Sequence, residues 1–277
     1  MRGDHMWSGD ELDLDAYLER IDYEGDLGPT ADVLRALHRA HVAAIPFENL
    51  DVALGREVPL DVRSLQAKLV DRRRGGYCYE QNSLFAAVLE RIGFPVTGRG
   101  ARNRTRGIAL LPVTHAILVV TVDGEPWLVD TGFGQQGLLE PIPLRDGARA
   151  EQGGWTFAIG VEDEGIHVLR ALRPEGWTDL YAFAPQTLYP PDFTVMNHYS
   201  SGHPRSPFVG KVVAQRPGTG ARRSLVRNLL TVVRTDGSGD ERKVGPAELV
   251  RTLSDVFGIE VDAEEAAGLV RVHSAVV

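Results

Sequence analysis

The chain reads as an α+β protein, and three observations along its 277 residues predict that class. Up to about residue 95, apolar residues recur at helical spacing. From Val96 to about Tyr199 they fall instead into short runs separated by Asp-Gly, Gly-Gly and Pro signals. From Gly202 onward, strand-like runs are followed by one more helical pattern. Helices, then strands, then a mixed tail predict three consecutive segments, 1–95, 96–200 and 201–277, sharing one site.

In the first segment, Leu14, Tyr17, Leu18 and Ile21 share one face of a short helix. Pro29-Thr30 opens a second, with Thr30 as N-cap and Val33, Leu34, Leu37 and His41 on its inner stripe. Ile45 to Leu50 mixes apolar and polar residues and is expected as a turn or loop, with Phe47 plugging the core. Ser64 to Val70 is a third short helix. A fourth follows with Cys78 at or just before its first turn, where Leu84, Phe85, Val88, Leu89 and Ile92 define one amphipathic face and Gly93 with Pro95 supplies the stop. Ala116 to Val120 and Trp155 to Ile159 are strands of the middle segment. Val209 to Gln215 and Leu229 to Thr235 are strands of the last segment, closed by a helix from Pro246 through Leu249, Leu253 and Phe257.

Composition narrows the function classes. A hydrophobic content of 43% with 25% charged residues is that of an ordinary globular protein. No apolar run approaches the ~20 residues that span a bilayer. The acidic Met1 to Asp15 stretch lacks the apolar core of a signal peptide, Met6 is an alternative start, and Arg2-Gly3-Asp4 reads as chance. A net charge of −8 disfavours nucleic acid and anionic membranes as partners. One cysteine makes no intrachain disulfide, which fits a reducing cytoplasm. Arginines nevertheless cluster at 72–74, 99, 102, 104 and 106, and again at 222, 223 and 227. They are either solvated surface or a local pocket for a small polyanion such as a phosphorylated cofactor. There is no phosphate loop, metal-ligand spacing or internal repeat.

Chemistry concentrates in Arg73 to Asn82, which carries the lone cysteine. Without context a lone cysteine is a small buried apolar residue. Placed at or just before the first turn of a helix, Cys78 meets unpaired backbone N–H groups and the positive dipole end, which favour a thiolate. Arg73 and Arg74 push the same way, and Gly75 and Gly76 leave room for close approach to the sulfur. A partner base comes from Thr114 to Asp130, where two strand-like runs flank Asp123-Gly124, a hairpin turn signal. With those two residues as the loop, Val122 faces Glu125 and paired positions sum to 247. Asp130 then opposes Ile117, and period-2 alternation puts His115 and Asp130 on one face, diagonal neighbours roughly 7–8 Å apart. The other histidines rank lower: His38 and His41 lie on a helix face, His198 and His203 in a polar turn-rich stretch. Spacing alone does not bring Cys78 to His115.

The sequence resembles the arylamine N-acetyltransferases over most of its length. The resemblance is carried by Pro46-Phe47-Glu48-Asn49-Leu50, Arg74-Gly75-Gly76-Tyr77-Cys78-Tyr79-Glu80-Gln81-Asn82, Thr114-His115, Asp130-Thr131-Gly132-Phe133-Gly134, and Asn197-His198-Tyr199 through Ser206-Pro207-Phe208. It implies a helical N-terminal domain, a β-barrel-like middle domain and an α/β lid, with Cys78, His115 and Asp130 as a triad at their junction. It further implies acetyl-CoA as acyl donor, no metal, and an arylamine, hydrazine or hydroxylamine as acceptor. By position, Thr114, Gly132, Phe133 and Gly134 match the segment that approaches CoA, and Phe47, Phe133 and Phe208 match the acceptor pocket. Thr131 departs from the family, which more often has a small apolar residue there. Three rivals share these residues: an amide synthase closing a polyketide chain into a macrolactam, a Cys-His-Asp hydrolase, and a non-catalytic binding protein. The complete triad weighs against the last.

Overall fold

The computed structural model describes residues 6–105, 107 and 110–275; the expectations for Met1 to His5 and for Arg106 lie outside them. The chain opens with helices α1 (Leu14–Arg20) and α2 (Ala31–Ala44). The Thr30 side chain accepts from Val33 N, as the capping pattern predicts. The expected Ile45 to Leu50 loop is instead a two-residue strand, β1 (Phe47–Glu48), running into helix α3 (Leu50–Ala53). β1 exists because it pairs with a strand more than 160 residues away, and no local signal announces such a contact. Helix α4 (Val62–Leu65) continues directly into a π-helical turn at Gln66–Asp71, so the third helix is longer and less regular than expected.

Helix α5 (Cys78–Ile92) corrects the sequence expectation most. It is not amphipathic: every residue from Cys78 to Leu89 is buried. Phe85 packs edge-on against His38 and His41 of α2, while the N-terminal part faces the middle-segment sheet. A helix covered on all sides needs its polar side chains bonded internally, and Gln81 and Asn82 are. Gly93 closes it in the left-handed conformation.

The middle segment is one antiparallel, barrel-like sheet of eight strands. In chain order these are β2 (Val96–Asn103), β3 (His115–Val122), β4 (Glu125–Val129), β5 (Ile142–Pro143), β6 (Arg149–Gln152), β7 (Trp155–Glu162), β8 (Ile166–Arg173) and β9 (Gly176–Phe183). The spatial order β5-β4-β3-β2-β9-β8-β7-β6 places β2 beside β9. The β3–β4 hairpin has the expected register, Val122 opposite Glu125 and Leu118 opposite Val129, with Asp123 and Gly124 both at positive φ in the turn. The β-rich stretch does not reach Tyr199, because α6 (Pro190–Gly202) intervenes. Pro190-Pro191 opens that helix, since proline at the first helical positions gives up no intrahelical hydrogen bond.

The last segment forms a second sheet, β1-β10-β11-β12-β13, from β10 (Val213–Arg216), β11 (Ala221–Val226), β12 (Leu229–Arg234) and β13 (Gly239–Lys243). The expected strand at Val209 to Gln215 thus starts four residues later. Helix α7 (Leu249–Phe257) is where the sequence places it, and an unforeseen α8 (Ala263–Ser274) follows, capped by Asp262. Val212, Leu225, Leu249, Leu253, Phe257 and Leu269 form its core together with Leu50 of α3. That shared core ties the tail to the N-terminal helices.

Candidate active site

Tyr77 is the N-cap of α5 and Cys78 its first helical residue. Glu80 reaches back to accept from Tyr77 N at 3.1 Å, fixing the turn that carries the sulfur. The Cys78 thiol is 3% exposed, with Sγ 3.9 Å from the Thr114 carbonyl oxygen, one residue before His115. Cys78 and His115, 37 positions apart in sequence, therefore meet where α5 packs on β3.

The His115 and Asp130 side chains join as the hairpin register predicts: Nε2 lies 2.7 Å from Asp130 Oδ2. That bond engages Nε2 and leaves Nδ1 as the other ring nitrogen, with Cys78 close enough to favour the charged imidazole. Burial alone would push the imidazole pKa down; the Asp130 charge and hydrogen bond, with Cys78, outweigh it and raise it well above the ordinary histidine value. Asp130 runs the opposite way. Burial pushes its carboxyl up, but His115 and the hydrogen bonds from Asn82 Nδ2 (3.1 Å) and Gly132 N (3.0 Å) hold it below the usual carboxylate range.

Three residues around Asp130 have no role assigned to them there by the sequence reading. Asn82 lies one turn after Cys78 on the same face of α5; it donates to Asp130 and to the Ala116 carbonyl, and accepts from Thr131 N and Oγ1. The i, i+4 spacing from Cys78 is the signal that finds it. His38 accepts from Asp130 N, and Tyr181 lies near Asp130 with its ring tilted against His115 at 5.0 Å. Neither leaves a local signal, since both contacts are made across the core.

Thr131 turns its hydroxyl toward Asn82 Oδ1 rather than toward the histidine. Gly132 is a close approach: a Cβ there would stand 2.6 Å from Cys78 Cα. Phe133 packs edge-on against His115 at 5.0 Å. Phe47 and Phe208 face each other at 6.0 Å, with Phe208 also against Tyr77 at 5.5 Å. Cys78, Thr114, His115, Asp130, Gly132, Phe133 and Phe208 thus lie around the N-terminus of α5, with Phe47 against Phe208 and Gly134 beside Phe47.

Two features of the Arg73 to Asn82 stretch serve structure rather than the sulfur. Arg74 is buried and paired with Glu48 at 2.8 Å and Glu265 at 2.9 Å, so its charge is compensated away from Cys78. A Cβ on Gly75 would meet the Pro46 carbonyl at 2.1 Å, and one on Gly76 would meet Glu80 Cβ at 2.8 Å. The glycine space admits the neighbouring loop and the capping glutamate.

Comparison with known proteins agrees with this arrangement. A family model described as N-acetyltransferase matches residues 30–266, which sets the class. The arylamine N-acetyltransferase of Mycobacterium tuberculosis H37Rv is 41% identical over 258 residues, covering 90% of both chains. The Nocardia farcinica enzyme of that name superposes with a TM-score of 0.91 at 43% identity, over 96% of each chain. The Mycobacterium marinum enzyme in complex with CoA superposes at 0.90 with 36% identity, over 95% of this chain and 99% of that one. The chain belongs to the arylamine N-acetyltransferase family, and it is an acyltransferase.

Proposed function

We propose that the protein transfers an acetyl group from acetyl-CoA to the nitrogen of arylamines, hydrazines or arylhydroxylamines through an acetyl-Cys78 intermediate. The observation that carries this is the His115–Asp130 hydrogen bond, made through Nε2 beside a cysteine at the first turn of a helix. His115 holds the thiol proton as Cys78 Sγ attacks the thioester carbonyl carbon. The tetrahedral adduct collapses by breaking the bond to the CoA sulfur, which leaves with that proton. An amine nitrogen then attacks the acetyl-Cys78 carbonyl and loses its proton to His115. The bond to Sγ breaks, and the proton returns to the sulfur. Charge building on the carbonyl oxygen is favoured by the open first turn of α5, whose N–H groups point toward the sulfur end.

The roles proposed for the surrounding residues rest on the family resemblance. Thr114 and Gly132-Phe133-Gly134 are assigned to the approach of the thioester end of CoA, and the M. marinum complex with CoA supports a CoA thioester as donor. Phe47, Phe133 and Phe208 form the aromatic wall of the acceptor pocket. In domain terms, 1–95 supplies the nucleophile, 96–200 the base and acid, and 201–277 the lid.

The decisive experiment is intact mass after mixing the protein with acetyl-CoA and no acceptor, beside a Cys78→Ala control. One acetyl group on the wild type alone, removed by an aromatic amine or hydrazine, is expected. No adduct from acetyl-CoA, but one from a longer acyl thioester, would replace this function with the amide synthase. An adduct lost to water as fast as to amine would leave a hydrolase.

A further inference from the structure

His38 of α2 is fully buried, and its ring nitrogens bond the two ends of the loop that joins β4 to β5. Strand β4 ends at Val129, and the next amide, Asp130 N, donates to His38 Nε2 at 3.3 Å. Leu139 lies near the far end of the loop, its carbonyl oxygen 3.1 Å from His38 Nδ1. A backbone N–H can only donate and a carbonyl can only accept, so these partners fix the tautomer. Nδ1 carries the hydrogen and Nε2 is bare. A protonated ring would set N–H against N–H at Asp130. Burial outweighs the two hydrogen bonds and the Asp130 charge and brings the His38 pKa down to about 4, so the accepting form holds at neutral pH.

The ring has no other hydrogen-bond partner among the described residues. Phe85 of α5 meets it edge-on at 5.8 Å. His41, the next imidazole on α2, is engaged by Tyr17 Oη at 2.8 Å and Gln81 Oε1 at 2.7 Å. Between the two anchors of the loop lie the Asp130 carboxylate, Gly132 against Cys78 Cα, and Phe133 against His115. Asp130 Oδ2 sits 2.7 Å from His115 Nε2, and a hydrogen bond that short tolerates little movement of the backbone from which the carboxylate hangs. Asn82 holds that carboxylate from α5, whereas His38 holds its main chain from α2. An apolar side chain in place of His38 would leave a buried N–H and a buried carbonyl without partners, the first of them on the acid itself.

We infer that His38 is a positioning residue for acyl transfer: neutral, it accepts from the Asp130 main chain and so sets the distance between the Asp130 carboxylate and His115. This role rests on the Cys78–His115–Asp130 reading of the site. The Nε2 contact to Asp130 carries it, and the Nδ1 contact to Leu139 contributes to the stability of the loop alone.

Three variants separate the two bonds. In His38→Gln the amide oxygen reaches the Nε2 position and can accept from Asp130 N. In His38→Asn the amide reaches only the Nδ1 position and can donate to the Leu139 carbonyl, and His38→Leu does neither. The rate of Cys78 alkylation by iodoacetamide, measured against pH without acyl donor, reads the triad, because the thiolate depends on the imidazolium that Asp130 stabilises. Expected in His38→Leu and His38→Asn is a midpoint displaced upward from that of the wild type toward the ordinary thiol value of about 8.5, with kcat/KM for acetyl transfer down ~10–100-fold. His38→Gln should restore the wild-type midpoint and most of the activity. Stability by urea unfolding, which registers packing, is not expected to follow that order. Wild-type alkylation profiles in His38→Leu and His38→Asn, with stability alone lowered, would overturn the inference. So would a His38→Gln profile no better than that of His38→Asn, a comparison that decides by itself should His38→Leu fail to fold. A wild-type midpoint at the ordinary thiol value would overturn the triad reading and this inference with it. The expected order of profiles without an acetyl-Cys78 adduct would count against acetyl transfer alone.

Discussion

Asp130 gathers most of the site's polar contacts into one carboxylate: His115 on Oδ2, Asn82 and Gly132 on Oδ1, and His38 on its own backbone N–H. Asp130→Asn keeps the shape but loses the charge that selects the imidazole tautomer and stabilises the imidazolium. We expect the fold to survive and kcat/KM for acetyl transfer to drop about 10³–10⁴-fold, measured by initial rates. The pH dependence of stability follows from the two shifts. The Asp130 carboxyl is depressed, so its contribution is present above the ordinary value of about 3.9 and is lost as pH falls through the lower folded value. The His115 imidazole is raised, so its contribution is full below about 6.5 and is lost as pH rises through the folded value. The stability gap between wild type and Asp130→Asn should therefore be widest from about pH 4 to 6.5 and shrink on both sides, as read by urea unfolding across pH. Gly132→Ala tests the close approach to Cys78 Cα. We expect a loss of about 1–3 kcal/mol in stability, with a fall in kcat as the sulfur is displaced.

At the scale of elements, α5 is held in register by charges from both ends of the chain. Glu265 of α8 accepts from Arg56, Arg72 and Arg74, and Arg74 also pairs with Glu48 of β1. Burial pushes the Glu265 carboxyl up, but these arginines override it and bring its pKa down to about 2. Its contribution is thus present above about 4.5 and fades as pH falls toward 2. Glu265→Gln should cost about 1.5–3 kcal/mol near neutral pH, less in acid, because Arg74 keeps one of its two carboxylates. The Cys78 helix and the β3–β4 hairpin were readable from sequence because each is written locally. Capping and stop residues bound the helix, and an Asp-Gly turn with strict alternation fixes the hairpin. β1 was not readable, because two residues become a strand only through β10. α6 was obscured because Pro190-Pro191 reads as a break when it is in fact a helix start.

Over the whole molecule, α5 is enclosed between α2 on one side and the β2–β4 edge of the barrel-like sheet on the other, with the C-terminal sheet joined through β1. Its amides and those of β3 should be the slowest to exchange with deuterium, opening only with global unfolding, whereas β13, exposed at every residue on a sheet edge, should exchange early. Exchange of α5 ahead of β13 would show that the enclosing core is not the last part to open.

The sequence by itself determined the α+β class, the helix that begins at Cys78, the His115–Asp130 hairpin register and the family resemblance, because each depends on contacts between residues near in sequence or on an unbroken motif. Only the tertiary structure decided that Cys78 lies beside His115, that Asn82 and His38 bond Asp130, and that Arg74 is ion-paired while Arg222 is not among the described residues. Those outcomes depend on which groups are brought together across the core, and burial then sets which charges find partners there.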